Sequence, residues 1–260
     1  MKYCYYPGCT LKNYAKDFDE YARKICQKFD IELQEIDEWQ CCGGLYTNDN
    51  DVAKKLASVR NLCYAKDQSL PLLTLCASCH NVIKRVNYDM KNNASVKQKI
   101  NNYLEETNSN YNGETNVVHF IEMLNQDVGF DKIKQNILKP LNKKVACYYG
   151  CQLLRPSKVM NFDNPENPTI FQDLISALGG IPVKFEFQNE CCGSYNALTN
   201  TDNVKNLVLK ICNNAIENGA EFITTTCPLC LYNLKKYSPI PVVYFTQIMA
   251  DCLGIKIKEE

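Results

Sequence analysis

The chain has 260 residues, with 29 Lys plus Arg against 29 Asp plus Glu and a formal net charge of zero. That length can hold two small domains or one larger one, and the balanced charge excludes a nucleic-acid surface built on bulk positive charge. No apolar run approaches the ~18–20 residues of a membrane span, so direct insertion into a bilayer is not expected.

The chain starts at Met1-Lys2 and enters Tyr3-Cys4-Tyr5-Tyr6 at once, without the pattern of a signal peptide. A cytoplasmic setting is therefore expected. Reducing thiols prevail there, and a cysteine pattern is a metal or catalytic pattern rather than a disulfide frame. Sixteen cysteines kept reduced point to a low-potential, anaerobic cell.

Lys2 to Tyr6 predicts a short buried strand stopped by the turn Pro7-Gly8, with Cys9 directly after it. Residues 14–29 place Tyr14, Phe18, Tyr21, Ala22, Ile25 and Phe29 on one helical face. Ile31 to Ile36 alternates with period two, as a strand does, and Cys41-Cys42-Gly43-Gly44 follows. Residues 51–66 carry a helical stripe of Val52, Leu56, Val59 and Cys63, and Leu72 to Leu75 predicts a strand leading into Cys76. Residues 88–115 are polar and rich in asparagine, with one weak amphipathic piece around Val96, Ile100, Tyr103 and Leu104; they predict a surface insertion containing a helix. Val117 to Phe120 resumes as a strand, and residues 127–142 predict a linker-like helix ending near Pro140.

The plan then repeats. Val145 to Cys151 echoes the opening strand and turn. Residues 169–178 predict a helix closed by Gly179-Gly180, and Ile181 to Phe187 a strand before Cys191–Cys192. A helix over 203–217 and a strand over Phe222 to Thr226 precede Cys227, and Val242 to Phe245 matches Val117 to Phe120. The expected organisation is an internal duplication, residues 1–142 and 143–260, in an α/β fold of two small, mostly parallel sheets with helices. Cysteines follow strands in both copies, so they are expected at the carboxyl ends of the strands, where such sheets bind ligands.

Five cysteines recur in each copy. The first set, Cys9, Cys41, Cys42, Cys76 and Cys79, reads C-x31-CC-x33-CxxC; the second, Cys151, Cys191, Cys192, Cys227 and Cys230, reads C-x39-CC-x34-CxxC. Zinc wants four ligands, and a cubane iron–sulfur cluster takes four cysteines, usually from a compact run that is absent here. Neighbouring side chains in a regular strand point to opposite faces, so a Cys-Cys pair closes poorly on one small ion. Past the strand end, with Gly43-Gly44 or Gly193 to relax the backbone, both sulfurs could reach one larger multi-iron body. Cys227-Pro228-Leu229-Cys230 also predicts a helix start, whose free amides would stabilise thiolates. Structural zinc and a redox disulfide are the plainer alternatives; neither accounts for the fifth thiol or the duplication.

The doubled Cys–Cys-Cys-Gly–Cys-x-x-Cys pattern resembles the cysteine-rich CCG domain. Two in tandem without a ferredoxin segment resemble the B subunits of heterodisulfide reductases, over nearly the whole chain and including Tyr6-Pro7-Gly8-Cys9, Tyr149-Gly150-Cys151 and Asp163 to Thr169. The resemblance implies two non-cubane [4Fe-4S] clusters, the first held by Cys9, Cys41, Cys42, Cys76 and Cys79. The second would be held by Cys151, Cys191, Cys192, Cys227 and Cys230. It implies one component of an oxidoreductase complex that splits a mixed disulfide, of the coenzyme M–coenzyme B type or a bacterial analogue, into two thiols. Electrons would come from a ferredoxin-like C subunit with cubane [4Fe-4S] clusters, itself fed by a flavin-containing A subunit. Where that family carries a histidine after the cysteine matching Cys151, this chain has Gln152. Where it carries a glycine-rich stretch after the second Cys-Cys-Gly, this chain has Ser194-Tyr195-Asn196. These residues would line the substrate gap. The alternatives are an electron-transfer subunit of another CCG-domain oxidoreductase, succinate-, quinone- or hydroxyacid-linked, and a zinc-stabilised interaction module.

Other residues are read against plainer roles. His80, next to Cys79, suits a catalytic proton donor to a product thiolate or a hydrogen-bonded supporting role. His119 matches Tyr244 and is read as structural. Cys26, Cys63, Cys212 and Cys252 are expected in the core, and Cys4 and Cys147 are read as core or in contact with the ligands. Lys12, Arg155 and Lys158 are read as solvated charges or anchors for an anionic tail, and Trp39 as a shield over the first set.

Overall fold

The computed structural model describes residues 1–44 and 51–257; residues 45–50 of the expected first copy and the last three of the second lie outside them. The first half runs β1 (Lys2–Tyr6), α1 (Gly8–Asn13), α2 (Lys16–Lys28), β2 (Glu32–Glu35), α3 (Asp51–Asp67), β3 (Leu72–Thr74), α4 (Ala77–Asn92), α5 (Ala94–Leu104) and β4 (Val117–His119). Two short helices, α6 (Phe120–Met123) and α7 (Phe130–Gln135), lead out of it. The second half runs β5 (Lys144–Tyr148), α8 (Ser157–Met160), α9 (Ile170–Ala177), β6 (Ile181–Val183), α10 (Thr201–Glu217), β7 (Phe222–Thr225), α11 (Pro228–Tyr237), β8 (Val242–Tyr244) and α12 (Phe245–Leu253).

Each half builds a four-stranded, all-parallel sheet, in the orders β2-β1-β3-β4 and β6-β5-β7-β8. The α/β duplication is as expected. Parallel sheets need both faces covered, and the central strands are composed for it: Phe222-Ile223-Thr224-Thr225 and Tyr3 to Tyr6 are buried along their length. The edge strand Glu32-Leu33-Gln34-Glu35 is the most polar and stays half exposed. In both sheets the chain leaves the central strand in one direction and returns on its other side. The crevice beyond β1 and β3, and that beyond β5 and β7, is therefore the switch point where such sheets bind ligands. The halves pack through α2 against α12, α4 against α8 and α7 against α9.

Four expectations change. Tyr14 does not join the α2 face; it precedes the helix and stands 97% exposed. The polar stretch is not all surface. α4 continues to Asn92 with Met90 buried, and Ile100 and Leu104 of α5 and Tyr111 beyond it are buried, because an asparagine-rich sequence can still supply a few apolar anchors. The strand expected over Ile181 to Phe187 pairs only as far as Val183; Pro182 lacks a backbone donor, which suits an edge and shortens the ladder. The linker-like helix is a turn of π-helix followed by the short α7.

Candidate metal centre

The local sequence places each thiol just beyond a strand. β1 stops at Pro7, and Gly8 turns the chain at φ +74° to start α1, which carries Cys9. Gly150, at φ +65°, repeats the turn before Cys151. Cys76 caps α4 and Cys227 caps α11, with Pro228 at the first helical position, so Cys79 and Cys230 sit in the first turn of their helices. Thiolates there face free amides and the positive end of the helix dipole.

The sulfurs gather into two groups with one pattern. Cys41 Sγ lies 3.9 Å from Cys9 Sγ, and Cys42 Sγ lies 3.6 Å from Cys79 Sγ. In the second group Cys191 and Cys151 most strongly shift each other's titration, and Cys192 Sγ lies 3.4 Å from Cys230 Sγ. The adjacent pair thus divides its work: its first sulfur joins the turn cysteine, and its second joins the helix cysteine. Cys76 pairs with Cys79 and Cys227 with Cys230. Cys76 and Cys227, one from each half, also act on each other's titration, so the two groups approach each other across the halves.

Supporting contacts are duplicated too. The Tyr6 hydroxyl donates to Gln40 O at 3.0 Å and the Tyr148 hydroxyl to Glu190 O at 2.6 Å, each holding the residue before the Cys-Cys pair. Asn61 braces Gln40 from both sides, Ser58 donates to Cys42 O at 3.2 Å, and Asn233 donates to Cys192 O at 3.3 Å. A Cβ at Gly8 would come within 3.3 Å of Cys79 Sγ, and one at Gly150 within 3.4 Å of Cys230 Sγ, so both glycines leave sulfur-lined space that another residue would fill.

The thiols share protons unequally. Hydrogen bonds from Cys41 and Cys79 pull Cys42 down to about 4, and the hydrogen bond with Cys151 pulls Cys191 down to about 6. Cys192 is lowered by its bond with Cys230, and Cys227 is held well below its usual range by Cys230 and Cys76. Their partners Cys76, Cys79, Cys151 and Cys230 are pushed up by the same bonds, and Cys9 by its bond with Cys41. Negative charge thus settles on Cys42 in the first half and on Cys191, Cys192 and Cys227 in the second.

All five cysteines of the second set line one cavity, together with Gln152, Ser194, Tyr195, Leu229 and, from the first half, Ser78. Gln152 Nε2 donates to the Tyr195 hydroxyl at 3.2 Å, and Ser194 Oγ lies 2.9 Å from Cys192 Sγ. Among the described residues, no three or more Cys, His, Asp or Glu side chains are arranged to hold a single metal ion. The donor set fits a larger body: five soft thiols from three loops, most of them buried, beside glycines that leave room at the sulfurs.

His80 is fully buried. Its Nδ1 meets Thr74 Oγ1 at 2.9 Å, and its Nε2, without a hydrogen-bond partner among the described residues, lies 3.6 Å from Glu122. Burial holds it well below its usual range, and so neutral. His119 is buried as well; its Nδ1 accepts from Ile121 N, capping α6. Lys12 pairs with Glu35, and Arg155 with Glu166; Lys158 is exposed. Trp39 packs edge-on against the Tyr6 ring at 6.0 Å, beside the first set. Cys4, Cys26, Cys63, Cys147, Cys212 and Cys252 are all buried among core residues. Sequence reasoning missed Tyr6 and Tyr148 as props of the Cys-Cys loops, and Ser78 and Asn81 as bridges between halves. Asn81 Nδ2 donates to Gln152 O at 2.7 Å and Arg155 O at 2.6 Å. The repeated Tyr two residues before Gly8 and Gly150 was the available signal for the first pair.

Comparison with known proteins places these features in context. The family model described as a cysteine-rich domain, CCG, matches residues 3–84 and 145–235. The membrane anchor subunit of the 8-methylmenaquinol:fumarate reductase of Wolinella succinogenes is 32% identical, over 99% of this chain and 94% of its own length. A protein of Archaeoglobus profundus, described as like the B subunit of heterodisulfide reductase, is 30% identical, over 98% and 91%. The B subunit of the ferredoxin/F420H2-dependent CoB-CoM heterodisulfide reductase of Methanosarcina acetivorans is 28% identical, over 97% and 89%. A solved chain, a hypothetical protein from Helicobacter pylori, superposes with a TM-score of 0.76 at 13% identity, over 98% of this chain and 49% of that one; the likeness is one of fold.

Proposed function

Since the chain belongs to the cysteine-rich CCG-domain family and is similar over nearly its whole length to heterodisulfide reductase B subunits, we propose that it is the disulfide-reducing subunit of an oxidoreductase complex. The observation that carries the proposal is the gathering of two five-thiol groups that approach each other at Cys76 and Cys227. In this reading Cys9, Cys41, Cys42, Cys76 and Cys79 hold one non-cubane [4Fe-4S] cluster, and Cys151, Cys191, Cys192, Cys227 and Cys230 hold the other. Such clusters, when bound, supply one electron each to a two-electron cleavage. The electrons are taken from a partner protein with cubane clusters, itself served by a flavoprotein. The substrate is a small mixed disulfide, and the complex works on the cytoplasmic side.

The chain's own residues then have defined parts. Tyr6 and Tyr148 fix the approach to each Cys-Cys pair, and Gln152, Ser194, Tyr195 and Ser78 present polar groups to whatever enters beside the second set. For His80 the sequence leaves open a proton donor and a hydrogen-bonded supporting role. Its buried, neutral ring already shares its Nδ1 with Thr74, so we assign it to bracing the helix that carries Cys79.

A second reading is favoured by the Wolinella relative: an electron-transfer subunit of a quinol-linked fumarate reductase. Among the described residues no helix is long and apolar enough to cross a membrane, so attachment to a bilayer would run through partners or a surface. Anaerobic purification followed by iron and sulfide assay tests the common premise, with about eight irons per chain expected; stoichiometric zinc with little iron would end both readings. Thiol release from a mixed disulfide by the reconstituted complex supports the first. Quinol-dependent fumarate reduction without thiol release supports the second.

A further inference from the structure

The two thiol groups are joined by more than their sulfurs. Tyr244, at the end of β8, is fully buried, and its hydroxyl lies 2.9 Å from Leu75 O and 3.0 Å from Thr226 O. Those two carbonyls stand immediately before Cys76 and Cys227. Thr226 O also accepts from Ala77 N of the first half at 3.1 Å. One phenolic proton is thus shared between the loops that carry the two innermost cysteines. The ring is held from beneath by Phe18, stacked at 4.5 Å with 17° between the planes. The corresponding residue of the first half is His119, whose Nδ1 is engaged in capping α6. Among the described hydrogen bonds, the hydroxyl that joins both carbonyls comes from the second half, while the His119 ring of the first half acts on the Leu75 carbonyl alone.

We propose that Tyr244 is a positioning residue: by clamping the carbonyls before Cys76 and Cys227 it fixes the separation and orientation of the two thiol groups, and makes them one coupled unit. The proposal rests on the reading that each group holds a multi-iron body, but the clamp itself is a property of the chain. Burial keeps the phenol protonated, with the nearby Cys76 and Cys227 acting in the same direction, so the hydroxyl remains a donor across the working pH range.

Two measurements on Tyr244→Phe test it. In the cluster-free protein, treatment with diamide oxidises neighbouring thiols in pairs; each disulfide passes two electrons and two protons to one diamide, which becomes the hydrazine. Peptide mapping then gives the ratio of the Cys76–Cys227 disulfide to the Cys76–Cys79 and Cys227–Cys230 disulfides. Removal of the hydroxyl is expected to lower that ratio about fivefold, the factor one net hydrogen bond supplies. In the iron-loaded protein, Tyr244→Phe is expected to keep the iron content while altering the spin–spin interaction between the reduced clusters, and to lower kcat with KM unchanged. Phe18→Leu is the control, since it removes the supporting ring but leaves the hydroxyl. It should lower Tm without moving the disulfide ratio. An unchanged disulfide ratio in Tyr244→Phe overturns the proposal, as does an unchanged spin–spin interaction at full iron content. A wild-type protein without iron would refute the proposed function, and the disulfide ratio would still decide the clamp.

Discussion

In the first half, Tyr6 ends the central strand, Gly8 turns the chain beneath Cys79 and Cys76 caps a helix; in the second, Tyr148, Gly150 and Cys227 repeat each step beneath Cys230. The halves part company where they face each other. Gly44 stands opposite Ser194 in the duplication, and His119 opposite Tyr244. Only the first half inserts α5, and, among the described residues, only the second encloses its thiols with a Gln–Tyr hydrogen bond. Ser78 of the first half lines the second cavity, Asn81 holds the loop after Cys151, and Tyr244 of the second half holds Leu75. The thiols and the turns that carry them are duplicated, whereas Ser194 beside Cys192 and the residues that bridge the halves are not. The duplication therefore supplies two equivalent sites, and the unequal bridging residues make them a single device.

The largest effect expected from breaking this equivalence is loss of one site. Cys42→Ser or Cys192→Ser should each remove about half of the bound iron and all disulfide-reducing activity, because each takes a ligand from one group only. Cys76→Ser and Cys227→Ser should cost more than half, since each of those thiols acts on the other across the halves. Iron assay beside a reconstituted turnover assay checks both, and a loss of only half at Cys76 would mean the groups load independently. Next in size is the glycine turn. Alanine at Gly8 takes a positive φ of +74° and brings its Cβ to 3.2 Å from the Tyr6 ring and 3.3 Å from Cys79 Sγ, against 3.4 Å and 3.4 Å at Gly150. Left-handed backbone costs ~1–2 kcal/mol and the crowding adds to it, so Gly8→Ala should destabilise by about 2–3 kcal/mol and Gly150→Ala by less, as read from urea midpoints.

Much of this plan was legible in the residues. Strands, helices and the doubling followed from periodicity and from the turn signals after each strand, because parallel α/β units bury one apolar stripe per helix and a continuous run per strand. The ten thiols were visible by spacing, and the topology that brings them together followed from the strand-then-cysteine order. What stayed hidden depends on the docking of one half upon the other. Neither Tyr244 nor Ser78 nor Asn81 carries a local mark of its partner, since the Asn81 and Tyr244 contacts join residues 71 and 169 positions apart. The length of β6 was misjudged for a related reason: an edge strand is ended by its neighbour's geometry as much as by its own sequence. Adjacency to Cys79 leaves both a proton donor and a supporting role open for His80, because it says nothing about which side of α4 the ring takes.

The His119–Tyr244 difference predicts that acid sensitivity resides in the first half. Burial holds His119 down to about 3 in the folded protein, from an ordinary value of 6.5, and moves His80 the same way. The unfolded chain therefore binds protons below about pH 6.5 that the folded chain refuses until about pH 3. The stability is complete above pH 6.5 and is lost as pH falls through that window, by ~2 kcal/mol for His119 at pH 5. Glu122 acts in the opposite sense, since burial raises it and the folded state takes its proton first. Urea unfolding of the cluster-free protein at pH 7.5 and pH 5 should show the loss. His119→Asn keeps an acceptor for the α6 cap and should recover most of it. The difference between the two proteins isolates the imidazole from thiols titrating in the same range, and equal pH slopes would place the acid sensitivity elsewhere.

The smallest predicted effect separates the two tyrosine props. Gln40 O accepts from both the Tyr6 hydroxyl at 3.0 Å and Asn61 Nδ2 at 2.8 Å, and Gln40 N donates to Asn61 Oδ1. Losing the Tyr6 hydroxyl thus leaves that carbonyl satisfied. Glu190 O, among the described hydrogen bonds, is met only by the Tyr148 hydroxyl, at 2.6 Å from a fully buried ring. Tyr148→Phe should therefore destabilise by about 1 kcal/mol and Tyr6→Phe by about half of that. The same order should appear in the rate at which iron leaves each half in the presence of a chelator. If Tyr6→Phe proves the costlier, the Asn61 brace does not stand in for the hydroxyl, and the first Cys-Cys loop hangs on its tyrosine as fully as the second.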